Sequence, residues 1–103
     1  MSIFNRYNIN NFVDEFQQDE NSVLLDVRTR EEYEEEHIPE SINVPLDEIS
    51  IIANIVTDKS KKLYVYCRSG SRSGQALEPL KKLGYSNAVN IGGIIDYYGE
   101  TVM

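Results

Sequence analysis

The chain has 103 residues, 41% hydrophobic and 26% charged, the composition of one globular domain (residues 1–103) with a single real core. No apolar stretch approaches the roughly 18 residues that span a bilayer, and the opening Met1-Ser2-Ile3-Phe4-Asn5-Arg6 lacks the basic-then-apolar order of a signal peptide, so no membrane is expected. A net charge of −7 argues against nucleic acid as a partner, and a lone cysteine excludes an internal disulfide and the usual cysteine zinc clusters.

In chain order, Asn10 is the expected cap of a short helix carrying Phe12, Val13 and Phe16 on one face. Ser22 to Val27 is a continuous apolar run, the pattern of a strand buried on both faces of a parallel sheet. Thr29 with Glu32 matches a capping box that opens an acidic helix over 30–35, and Pro39 stops any helix there. Ile42 to Pro45 reads as a brief strand, and Leu46, Ile49, Ile52 and Val56 space a helix over 46–56. Leu63 to Tyr66 is the next strand. A helix over 73–83 follows, closed by Gly84, with Pro79 predicting a kink or break near Glu78. Asn87 to Ile91 is the last strand, before Gly92-Gly93. Strands alternating with helices imply an α/β fold, with a small, mostly parallel central sheet of about five strands flanked by helices.

In an open parallel sheet, ligands bind beyond the carboxyl ends of the strands. Asp26 and Arg28, then Cys67, then Gly92-Gly93 each follow a predicted strand, so chain order brings them to one edge. Cys67 opens the loop Arg68-Ser69-Gly70-Ser71-Arg72-Ser73, whose small residues let successive N–H groups curl into an anion-binding nest. The acidic groups crowd elsewhere: residues 1–58 hold fourteen of the seventeen, whereas Lys59 to Lys82 holds seven of the ten lysines and arginines and only one acid, Glu78. Lys59, Lys61 and Lys62 belong at the far end of the strand, which leaves Arg68 and Arg72 at the loop.

A free cysteine is only about 3% thiolate at pH 7; lowering its pKa by about two units makes it roughly three-quarters thiolate, for about 2.7 kcal/mol. A helix amino terminus supplies up to ~2 kcal/mol, and loop N–H groups with Arg72 add to it. A cysteine serving only as core filler needs no flanking Arg-Ser-Gly-Ser-Arg. Cys67 is therefore read as a nucleophile. A tyrosine-phosphatase loop places its arginine sixth after the cysteine. Here Arg72 is fifth, and the shorter ring suits one sulfur atom better than a phosphate or arsenate.

With these residues in view, the chain resembles a single-domain rhodanese, a sulfurtransferase. The resemblance runs from about Ile9 to Gly99. It is carried by Leu25-Asp26-Val27-Arg28, Glu31-Glu32-Tyr33, His37-Ile38-Pro39, Ser41 to Pro45, the loop Cys67 to Ser73, Gly84-Tyr85, and Asn90 to Ile94. It implies that Cys67 takes sulfane sulfur from thiosulfate or a persulfide donor and passes it to a thiophilic acceptor, cyanide in the usual assay. A protein or small thiol could stand in that place. Carried onto this loop, the N–H groups of Arg68 to Ser73 cradle the outer sulfur, while Arg68 and Arg72 bind the anionic donor. No metal or organic cofactor is implied, and a lone reduced thiol fits the cytoplasm.

The chain departs from the family at Glu36 and Glu40, where glycine is usual, and in lacking a tryptophan near Tyr97 and Tyr98. His37 is read as a structural turn residue, since thiolate attack needs no separate base. Asp26 and Arg28 are read as an internal charge pair, with a supporting role at the loop left open. A non-catalytic interaction module or redox sensor remains the competing reading.

Overall fold

A computed structural model describes residues 8–103, so the reading of Met1 to Arg6 lies outside the described residues. Four parallel strands form one sheet in the order β2-β1-β3-β4, with β1 at Ser22–Asp26, β2 at Ile42–Asn43, β3 at Lys62–Cys67 and β4 at Ala88–Gly93. The count among the described residues is four rather than about five. The four segments read as strands, beginning at Ser22, Ile42, Leu63 and Asn87, each fall on one strand of the sheet.

β3 lies between β1 and β4, and Leu63 to Cys67 are all buried. Side chains alternate across it. Leu63, Val65 and Cys67 join Ala76, Leu80 and Tyr85 on one face, whereas Tyr64 and Tyr66 join Ile9, Val13 and Ile91 on the other. The helix α1, Ile9–Gln17, covers the second face; Phe12 and Phe16 pack on Tyr64 with ring centroids 6.3 and 6.1 Å away. Its cap is Asn8, two residues before the expected Asn10. The Asn8 side chain accepts the Asn10 N–H at 3.0 Å.

The helix α2, Arg30–Glu35, starts at the expected capping box, with both Thr29–Glu32 bonds formed. The segment 46–56 is not one α-helix. A 3-10 turn spans Leu46–Ile51, and α3 only Ile52–Ile55. The apolar spacing explains this, since Leu46, Ile49 and Ile52 recur every three residues, the 3-10 period. The helix α4 spans Ser71–Lys82, starting two residues before the expected Ser73, and is unbroken at Pro79. Ala76 and Leu80, both fully buried, hold it against the sheet on either side of the proline. It closes with Gly84 N–H on Lys81 and Tyr85 N–H on Leu80, a Schellman pair. Lys59 donates to the Leu83 carbonyl at that end, far from the loop.

The turn before β2 carries a local strain. Glu40 has φ +72°, left-handed backbone that favours glycine, whereas Glu36 at φ −172° is ordinary extended chain. Glu40→Gly is expected to raise stability by about 0.5–1 kcal/mol, read as a thermal midpoint higher by about 3 °C or more. A lower midpoint would mean that contacts of the glutamate side chain outweigh the strain.

Candidate active site

β3 ends at Cys67 and α4 begins at Ser71, so Arg68, Ser69 and Gly70 alone make the turn between them. Gly70 reverses the chain with φ +104°, a conformation that leaves its N–H aimed back at the strand end. The Cys67 sulfur accepts that N–H at 3.0 Å and the Ser73 N–H at 3.4 Å; the Ser73 hydroxyl lies 3.4 Å away. No side chain caps α4 at Gly70. The sulfur takes that place, accepting a free N–H of the first helical turn.

Cys67 is 1% exposed, with its flank in the core beside Val65 and Ala76, yet its sulfur is turned to amides rather than to hydrocarbon alone. Burial pushes the thiol up. The Ser73 hydroxyl and the N–H groups of Ser73, Gly70 and Ser69 outweigh that, and Cys67 lies below the ordinary thiol value.

Arg72 has a partner that its place in the loop does not announce. Its guanidinium makes a two-pronged pair with Glu32, Nη1–Oε1 at 2.7 Å and Nη2–Oε2 at 3.0 Å. The Arg72 hydrogen bond, with support from Thr29, pulls the Glu32 carboxyl down from 4.5 to about 2. Glu32 thus caps α2 and tethers the loop at once. Arg68 is exposed and forms no ion pair among the described residues. It lines a cavity of about 320 Å³ together with Arg28, Glu32 and Ile95.

Asp26 and Arg28 form the internal pair, both buried, with Arg28 Nη2 2.7 Å from Asp26 Oδ2 and also donating to the Glu36 carbonyl. They hold the segment between β1 and α2. The Arg28 guanidinium carbon stands 5.8 Å from the centre of the Tyr66 ring, whose hydroxyl binds Ser41 and the Ile38 N–H. His37 is structural in geometry. Its ring stacks on Tyr33 at 3.7 Å, and Nδ1 meets the Tyr33 carbonyl at 2.7 Å.

Two residues of the site escaped the sequence reading. Glu32 stands in the sequence as a helix cap and as part of the family resemblance, with no role at the loop. Asn90 stands there as part of a strand and of the same resemblance, although an asparagine inside an apolar run is itself a signal. Its Nδ2 donates to the Gly70 carbonyl at 3.0 Å, and its Oδ1 accepts from the Ser73 hydroxyl at 2.7 Å. Among the described residues, no cluster of three or more His, Cys, Asp or Glu could hold a metal ion, and no helix is long and apolar enough to cross a membrane.

These features define a class: a parallel α/β domain with one cysteine held by main-chain N–H groups at the carboxyl edge of its sheet. Residues 10–100 match the family model of the Rhodanese-like domain, and the chain belongs to that family. The chain is 45% identical over 73 residues to the thiosulfate sulfurtransferase PspE of Escherichia coli, covering 70% of each protein. It is 42% identical over 81 residues to the thiosulfate:glutathione sulfurtransferase of Saccharomyces cerevisiae, covering 67% of this chain and 58% of that one. Among solved structures, a rhodanese with anions from E. coli superposes with TM-score 0.72 at 41% identity, over 79% of this chain and 96% of that one.

Proposed function

We propose that this protein is a sulfurtransferase of the thiosulfate type, working as one domain through a Cys67 persulfide. The thiolate attacks the outer sulfur of thiosulfate. A new S–S bond forms at Cys67, the bond to the sulfonate sulfur breaks, and the electron pair leaves on sulfite. The persulfide then meets a thiophilic acceptor, whose nucleophile takes the outer sulfur and returns the thiolate. No electron carrier is needed, since sulfur is passed on as sulfane sulfur throughout. A persulfide donor enters the same cycle with a thiolate as leaving group. The cytoplasm, with its reduced thiols, suits such a cycle.

The observation that carries this reading is the sulfur of Cys67 accepting the Gly70 and Ser73 N–H groups at the mouth of α4. On this reading a sulfur added beyond Cys67 carries the negative charge outward and takes further main-chain N–H groups of the loop as donors. The thiosulfate sulfurtransferases among the relatives support the donor class. Incubation with thiosulfate, followed by mass spectrometry without reductant, is expected to add about 32 Da, one sulfur, at Cys67. The absence of an adduct across thiosulfate and organic persulfides would favour a non-catalytic interaction module.

The two loop arginines divide the work. Arg68, which makes no ion pair among the described residues and lines the cavity, meets the anionic donor, whereas Arg72 holds the loop through Glu32. Arg68→Ala is expected to lower kcat/KM for thiosulfate about tenfold or more, and for a neutral persulfide donor less than about threefold. Arg72→Ala should weaken both donors alike. A selective loss of thiosulfate use in Arg72→Ala would return the anion-binding role to that residue.

A further inference from the structure

Cys67 is held by N–H groups whose placement depends on a side chain from a different strand. Asn90 stands on β4 and reaches across to the loop with both ends of its amide. Nδ2 donates to the Gly70 carbonyl at 3.0 Å; Oδ1 accepts from the Ser73 hydroxyl at 2.7 Å and from the Gly92 N–H at 3.0 Å. The Gly92 N–H fixes which way round the amide lies, because the reverse orientation would set donor against donor.

Ser73 is fully buried, and its hydroxyl has one proton for three acceptors: Asn90 Oδ1 at 2.7 Å, the Gly70 carbonyl at 3.1 Å and the Cys67 sulfur at 3.4 Å. The Gly70 carbonyl already accepts Gly74 N–H and Asn90 Nδ2, so both its lone pairs are filled and it has no claim on the hydroxyl. The choice is then between Asn90 and the sulfur. When the sulfur is ionised, the hydroxyl can swing to it at little loss, because the Gly92 N–H keeps Oδ1 satisfied.

We propose that Asn90 is a positioning residue for Cys67: by filling the Gly70 carbonyl and parking the Ser73 hydroxyl, it keeps that hydroxyl available to the sulfur. The inference concerns the same thiol as the proposed function, but its test needs no sulfur donor. Without the Asn90 amide, the open lone pair of the Gly70 carbonyl lies nearer the hydroxyl than the sulfur does, and draws it away. The charged groups about the sulfur stay in place: Arg72 with Glu32, Asp26 with Arg28, Arg68 on the rim, and Asp96 in the cleft beyond Asn90.

The test is the rate of Cys67 alkylation by iodoacetamide as a function of pH, in the intact protein and in three variants. Asn90→Ala is expected to move the midpoint up by half to one pH unit, slowing alkylation near neutral pH about threefold to tenfold. Ser73→Ala should do the same. The double variant should be no slower than Ser73→Ala alone, within about twofold, because Asn90 acts through that hydroxyl. A wild-type profile for Asn90→Ala, or slowdowns that multiply in the double variant, would overturn the assignment. If Asn90→Ala does not fold, Asn90→Asp is the second variant. It keeps the shape but holds the hydroxyl with a charged acceptor and cannot donate to Gly70, so a shift of at least about one pH unit is expected, and a wild-type midpoint overturns the proposal. Persulfide formation is read separately by mass, so a missing adduct with a normal coupling between positions 73 and 90 would count against the sulfurtransferase reading alone.

Discussion

Cys67→Ala is expected to abolish both the 32 Da adduct and sulfur transfer, leaving no more than the uncatalysed rate. No other residue can take over, because the chain has a single cysteine. The hydroxyl of Cys67→Ser would not help either, for its proton is held far more tightly than a thiol's and the loop's few hydrogen bonds cannot make up that difference. Loss of activity would not reflect unfolding. Removing the buried sulfur costs about 1–3 kcal/mol, because the buried Ser73 N–H loses its acceptor whereas the half-buried Gly70 N–H can turn to water. A normal far-UV spectrum and a lowered but still cooperative melt, with zero turnover at temperatures where the variant is folded, are therefore the expected results. Residual transfer above about 1% would place the chemistry elsewhere, since removing a covalent nucleophile leaves only binding and orientation to act.

The parts of this site that could be read from the chain are those whose causes are local. Thr29 and Glu32 are three residues apart, so the capping box needs nothing from the rest of the fold. The loop between Cys67 and Ser73 is likewise short, and its Gly70 announces the left-handed turn that aims an N–H at the sulfur. What could not be read is what lies far off in sequence. Glu32 meets Arg72 across 40 positions, and Asn90 meets Gly70 across 20. Nothing local to Arg72 reveals the carboxylate that pairs with it. The helix over 46–56 failed for another reason: its apolar residues identify the buried face correctly, but a spacing of three serves a 3-10 turn as well as an α-helix. Pro79 shows the opposite balance, a strong local preference overridden by buried neighbours.

Gly93→Ala carries the second large effect, and it acts by steric clash, removing no polar group of the site. Gly93 pairs with Cys67 in the β3–β4 ladder, and the loop folds directly over it. A methyl group there would sit 2.1 Å from the Arg68 carbonyl oxygen, 2.4 Å from Ser69 Cα and 2.6 Å from the Arg68 carbonyl carbon. All three are backbone atoms, so no side chain can rotate away. Its φ of −124° suits any residue, which makes the effect purely steric. The loop must therefore lift by about an ångström, and a displacement of that size costs on the order of a hundredfold in a positioned reaction. Sulfur transfer is expected to fall at least that far. The Cys67 alkylation midpoint should climb toward that of a free thiol as Gly70 and Ser69 withdraw their N–H groups. Stability should drop by about 1–3 kcal/mol, the usual cost of forcing atoms into a filled space. A Gly93→Ala protein with kcat/KM within threefold of the parent would mean that the loop can shift without loss. The close fit between β4 and the cysteine loop would then have no part in ionising the sulfur.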